Sequence, residues 1–300
     1  MSVLAELEPK AEELLRRHLS MAEEWFPHDY VPWSKARDFQ AEPWSEEQSS
    51  LTPEARCALE ISLLTEDNLP SYHRIIYNTL GRGDAWMTWV GRWTAEEARH
   101  AVVLRDYLVV TRGVEPVTLE RDRMKTMTTG YEREFDGIIG AFAYGALQEL
   151  ATRISHQNTG RVAQDPIAER LCARVAQDEN LHMVFYRDVV SAALDLHTNE
   201  SVVAIAKEIE SFTMPGEVIP HFTRRAARMA YAGVYDLRLH RDAVIAPLLR
   251  HWRVFELSGL DPAAERAREG LAKHVADLDE RARRFEEWRA QRSAREERTG

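Results

Sequence analysis

Apolar residues recur at spacings of three and four along almost the whole chain, and no stretch alternates apolar with polar as a half-buried strand would. The pattern predicts helices over 3–19, 52–80, 83–112, 117–127, 132–158, 166–193, 199–212, 221–234, 236–257 and 262–290. Thr52-Pro53, Asp165-Pro166 and Asp261-Pro262 each set a capping side chain before a proline at the first helical position, which marks three of these starts. Pro70 stands inside the second pattern. Its ring would collide with the carbonyl of residue 66 and it donates no hydrogen bond, so a distorted helix is expected beside Glu66. Loops are expected over 28–51, 157–165 and 213–220. The final stretch, ERARRFEEWRAQRSAREERTG, is charged on nearly every face and reads as solvated helix giving way to a flexible tail at 290–300. No linker divides the chain, so residues 1–300 are expected to form a single all-α domain. Four long helices, 52–80, 83–112, 132–158 and 166–193, suit a four-helix bundle.

Composition narrows the class. The 300 residues are ample for a core, and 44% hydrophobic with 29% charged residues is ordinary for a globular protein. No apolar run nears the roughly 20 residues of a membrane span. The N-terminal MSVLAELEPKAEELLRR gains acids early and lacks an apolar signal core, so a cytoplasmic protein is expected. Cys57 and Cys172 both lie in apolar-periodic stretches and read as buried free thiols of a reducing compartment. A formal net charge of −10 argues against nucleic acid as the main partner.

The chemistry lies in a repeat. Glu97 with His100, in WTAEEARH, and Glu179 with His182, in DENLH, are each three apart, and therefore on one helix face. A lone Glu-x-x-His usually means nothing. Here each pair follows a helix with a carboxylate among apolar residues: Glu66 in EISLLTEDNLP and Glu149 in FAYGALQELATRISH. The unit "Glu helix, then Glu-x-x-His helix" thus occurs twice in near register, as two hairpins facing each other across a metal pair would require. Four carboxylates and two imidazoles, with no thiolate, suit iron or manganese better than zinc. Two divalent ions would balance four carboxylates.

The same residues carry a family resemblance. LTEDNLPSYH, WTAEEARH, QELATRISHQNTG, DENLH, the TMPG turn at 213–216 and HWRVFELSGL together resemble the soluble acyl-acyl-carrier-protein desaturases, from about Trp25 to the 280s. The resemblance implies a ferritin-like four-helix bundle enlarged by additional helices, a homodimer, and two iron ions per chain, with manganese as a substitute. It implies Glu66, Glu97, His100, Glu149, Glu179 and His182 as metal ligands, Glu97 and Glu179 bridging. It implies that dioxygen and two electrons from reduced ferredoxin insert a cis double bond into an acyl chain on acyl carrier protein, without nucleic acid or membrane span. Thr152 resembles the family's oxygen-assisting threonine, Asp178 a carboxylate that holds a ligand histidine, and Trp25 a tryptophan wired through both. Trp93 is a second candidate for electron entry. The other six tryptophans read as packing, and Ile75 and Ile76 as candidates for setting channel depth.

One departure stands out. The family's second motif carries arginine before its histidine, as Arg99 does in the first, whereas this chain has Leu181. An impaired desaturase-like metal protein and another oxygen-activating enzyme therefore stay open as alternatives. Arg16, Arg17, Lys35 and Arg37 are basic residues available for docking an acidic carrier protein, the first pair offset by neighbouring glutamates.

Overall fold

The computed structural model describes residues 2–81 and 83–299, with side chains to Arg295. Its helices are α1 (Val3–Met21), α2 (Pro53–Glu66), α3 (Leu69–Leu80), α4 (Asp84–Val110), α5 (Pro116–Thr129), α6 (Gly137–Ala163), α7 (Pro166–Leu196), α8 (Thr198–Glu210), α9 (Phe222–Tyr231), α10 (Leu237–Leu239), α11 (Ala246–Trp252) and α12 (Pro262–Thr299). No strand occurs among the described residues, and no helix there is long and apolar enough to cross a membrane.

The core is the four-helix bundle that the apolar pattern predicts. α6 and α7 form one long hairpin, α2 and α4 the facing pair, and α4 crosses α7. α1 lies on α4 and α7, α8 covers α6, α12 packs on α8, and α9 rests on α2. Thr52 and Asp165 cap α2 and α7 through their side chains, each ahead of its proline. The helix expected over 52–80 is broken at Asp67-Asn68, with Pro70 in the first turn of α3. Pro70 cannot donate to the Glu66 carbonyl, so α2 ends on Glu66.

Three other expectations are corrected. The loop placed at 157–165 is helix as far as Ala163. Gly160 lets α7 approach, since a Cβ there would lie 3.0 Å from the backbone of Glu169. The helix placed over 236–257 is interrupted by a π-helical turn, His240–Ile245, and ends at Trp252. The frayed tail expected from residue 290 is helical through Thr299; Gly300 lies outside the described residues. Arg289 holds this end down by donating to the Ala230 carbonyl and to Asp236, and Trp288 meets the edge of Tyr231. Trp288 and Trp33 are still about half exposed, so neither packs as expected. Both cysteines are buried and free.

The bundle core is not continuous. Along α4, Trp86, Trp89 and Trp93 belong to one apolar cluster and Val103, Leu104 and Tyr107 to another. Along α7 the order reverses, Leu171 and Val175 preceding Phe185 and Val189. Between the clusters both helices turn polar.

His240 gives the fold a pH-sensitive point. Burial pushes its imidazole down to about 4, helped by the nearby His274, and the Tyr235 hydroxyl lies 2.8 Å from Nδ1. The native ring therefore stays neutral where an unfolded histidine, near 6.5, takes up a proton. Its contribution is complete above pH about 6.5 and is lost as pH falls toward 4, up to about 3 kcal/mol. His240→Phe is expected to flatten that acid limb in urea titrations; an unchanged slope would refute the assignment.

Candidate metal centre

Between the two apolar clusters, α4 and α7 present the same series of residues. Arg92, Glu96, Glu97 and His100 recur at identical spacing as Arg174, Asp178, Glu179 and His182. Glu66 reaches in from the end of α2 and Glu149 from the middle of α6. All six residues expected as ligands are buried. They form two overlapping groups, Glu66, Glu97, His100 and Glu179, and Glu97, Glu149, Glu179 and His182. Within each group the donor atoms lie within 4.8 Å of one another. Glu97 and Glu179 belong to both.

His100 Nδ1 stands 3.6 Å from oxygens of Glu66, Glu97 and Glu179. His182 Nδ1 stands 2.8 Å from Glu97 and 3.5 Å from Glu149. Both Nδ1 atoms, with one oxygen each of Glu97 and Glu179, are buried without a hydrogen-bond partner. Such atoms are costly in a folded core. Two cations between them would satisfy all four, so the donor set fits a metal pair.

The protonation pattern also reflects crowding. Burial and then the charges of Glu97 and Glu149 drive the Glu179 carboxyl well above the ordinary range. Burial raises Glu97 too, against the pull of His100. Burial would also raise Glu66, but His100 and His156 outweigh it and hold that carboxyl low. Glu149 is likewise held low, chiefly by His182. Divalent cations would take over the role of these shared protons.

Each histidine is gripped from behind by the opposite helix. Asp178 lies 3.4 Å from His100 Nε2 and accepts from Trp25 Nε1 at 2.8 Å and Arg99 at 3.0 Å, with Arg174 also bonded. Glu96 does the same for His182, at 3.0 Å from Nε2. It accepts from Arg92 at 2.7 Å and meets His18 Nε2 at 2.8 Å. The pair His18 and Glu96 was not foreseen. Reading the Glu-x-x-His repeat one residue further back would have exposed Glu96 as the counterpart of Asp178. Nothing local points to His18, which arrives from α1. The Leu181 departure now has a physical answer: where Arg99 supports Asp178, His18 supports Glu96.

Thr152 Oγ1 is 3.1 Å from Glu179 and equally near the backbone carbonyls of Gln148 and Glu149, so its helix bond and its approach to the cluster coexist. Trp93 Nε1 donates to Glu149 at 3.0 Å. Trp25 stacks on His100 with ring centres 6.4 Å apart, and the Arg99 guanidinium lies over the Trp25 ring, 4.7 Å from its centre. His156, also unforeseen, meets Glu66 at 3.0 Å. It lies on the same face of α6 as Glu149 and Thr152, at the next turns.

Two cavities flank the cluster. One runs from Glu66, Glu97 and Glu149 past Gly145 to Phe142 and Leu80, and Ile75 and Ile76 line it. The other reaches Glu66, Thr152 and His156 from beneath α9 and the turn at Met214, Pro215 and Gly216. Both are mostly apolar, and they share Thr65, Glu66 and Pro215.

The family model described as fatty acid desaturase matches residues 1–299. DesA1 of Mycobacterium tuberculosis, provisionally named an acyl-acyl-carrier-protein desaturase, is 44% identical over all of this chain and 92% of its own length. A chloroplast stearoyl-acyl-carrier-protein 9-desaturase of Arabidopsis thaliana is 32% identical over 86% of this chain and 71% of its own. The X-ray structure of DesA2 from Mycobacterium tuberculosis, with the same provisional name, superposes with a TM-score of 0.72 at 30% identity. It covers 88% of this chain and 98% of that one.

Proposed function

Because this chain belongs to the fatty acid desaturase family, an oxidoreductase family with a ferritin-like helical fold, we propose that it desaturates a saturated acyl chain carried on acyl carrier protein. The proposal extends to residues 1–300 as one domain, to a homodimer, and to a cytoplasmic site of action with a ferredoxin-type electron donor. The observation that carries it is the pair of overlapping buried groups sharing Glu97 and Glu179. Glu66 and His100 would complete one metal position, and Glu149 and His182 the other. Two irons held there, or manganese in their place, would supply the oxidising power drawn from dioxygen. The balance is one dioxygen, two donor electrons, two protons and two C–H hydrogens, giving two waters and a cis double bond.

The protein's own residues supply position and exclusion. Asp178 and Glu96 hold the Nε2 side of the two histidines, which leaves each Nδ1 as a bare donor toward the metals. Trp93 fixes one oxygen of Glu149. The cavity lined by Ile75 and Ile76 is apolar and passes directly beside Glu66, Glu97 and Glu149, so it can seat an acyl chain in one register. The Trp25–Asp178–His100 contact series offers an electron path from the α1 side of the bundle. Thr152 offers a hydroxyl beside Glu179.

Iron-loaded protein should be reduced with ferredoxin, given palmitoyl and stearoyl acyl carrier protein in air, and its fatty acids read by mass spectrometry. A monounsaturated acid is expected. A hydroxy acid would instead mark an oxygenase, and no product from protein with a full metal complement would mark a chain that binds metal without turnover.

The grip on His182 can be tested separately. Glu96→Ala is expected to lower iron affinity about 10–100-fold in chelator competition, as loss of such supporting carboxylates does elsewhere. Affinity equal to the wild type would remove Glu96 from the account.

A further inference from the structure

Helix α9 has two unlike faces. Phe222, Ala226 and Met229 point inward and form one wall of the cavity that reaches Glu66, Thr152 and His156. Arg224 and Arg228 point outward, are exposed, and pair with no carboxylate among the described residues. Around them Arg56 is matched by Glu46, and Arg225 by Asp122 and Glu60. Arg56, Arg224, Arg225 and Arg228 line a single cleft with His221. Arg292 of α12 continues the basic stripe, its guanidinium 4.9 Å from the Tyr231 ring centre. No acidic residue falls between Glu217 and Asp236, in a chain whose net charge is −10.

The basic residues nearer the N-terminus, the exposed Lys35 included, line neither of the two cavities beside the cluster. Arg17 is paired with Asp188 and Arg37 with Glu42, while Arg16 donates to the Glu12 carbonyl. Arg224 and Arg228 thus place positive charge without a partner carboxylate on a helix that also walls an entrance to the reaction cavity.

We propose that the outer face of α9, centred on Arg224 and Arg228, is the docking surface for the acidic acyl carrier protein. This rests on the desaturase reading above. A carrier protein must seat itself where its tethered acyl chain can enter, and α9 separates the surface from the cavity by one helix thickness. Opposite charge at such a rim raises the association rate and selects the partner, whereas like charge there repels it.

The test uses the iron-loaded full chain and fluorescently labelled stearoyl acyl carrier protein, titrated by fluorescence anisotropy. The double variant Arg224→Glu/Arg228→Glu is expected to bind about 10–100-fold more weakly than wild type at low ionic strength. The difference should shrink in about 0.5 M salt, where exposed charges are screened. Arg224→Lys/Arg228→Lys should bind within a few-fold of wild type. Iron content and melting temperature report that the variants are folded. Equal binding by wild type and the double Glu variant would overturn the docking surface and leave the desaturase reading intact. A wild type that neither binds nor desaturates the acyl carrier protein would overturn the reading, and the docking surface with it.

Discussion

Glu149→Ala is expected to purify with fewer than two irons per chain after reconstitution and to lose desaturation by roughly 10³-fold or more, given the several kcal/mol that metal chemistry contributes to such reactions. Glu149 is buried in the middle of α6, lies 3.5 Å from His182 Nδ1 and receives a hydrogen bond from Trp93. It is the carboxylate unique to one of the two groups, so its loss should empty one position and leave Glu66, His100 and the shared pair at the other. Metal analysis and the mass-spectrometric assay together read both effects. A variant that kept two irons would show that Glu149 is not a ligand.

The second large effect separates the channel from the metals. Gly145 sits one helical turn before Glu149 and lines the same cavity as Ile75 and Ile76. A Cβ built on it would lie 2.9 Å from Cγ of Tyr186, closer than side chains tolerate. Gly145→Val would fill the space beside Glu149 or drive Tyr186 across it. Turnover of stearoyl acyl carrier protein is expected to fall about 10–200-fold, the scale at which one or two misplaced methyl groups are felt in a fitted pocket. Iron should stay at two per chain, and stability should drop by about 1–3 kcal/mol from overpacking. Turnover within about threefold of wild type would mean that the acyl chain does not pass Gly145.

These two outcomes follow from features of different legibility. The six central residues could be read from the chain because helical spacing converts sequence distance into a shared face, and because the Glu helix and Glu-x-x-His helix occur twice. The break after Glu66 was legible for a similar reason: Pro70 acts on its own backbone. Glu96 stood in the repeat one residue before Glu97, whereas His18 and His156 were hidden because their roles depend on neighbours far away in sequence, and such a buried Glu-His contact leaves no periodic trace. The continuation of α6 through Gly160 was hidden by residues that usually mark loops. There the close approach of α7 outweighs local propensity. The π-helical turn at His240–Ile245 was likewise invisible to a pattern of three and four.

The Leu181 position shows how structure alters the weight of a sequence difference. Read as sequence, it removes an arginine from a motif. In the folded chain the carboxylate that arginine would support, Glu96, already holds Arg92 and His18. The asymmetry between the two halves is thus in the identity of the supporting groups, and both histidines keep their carboxylate.

The central claim is that six side chains on four helices hold two metal ions that share Glu97 and Glu179. Anomalous diffraction at the iron edge, from crystals of iron-loaded protein, tests it most directly. The account predicts two peaks per chain, about 3.5–4 Å apart, one between Glu66 and His100 and one between Glu149 and His182. A single peak, or iron seated between His18, Glu96 and His182 instead, would contradict it.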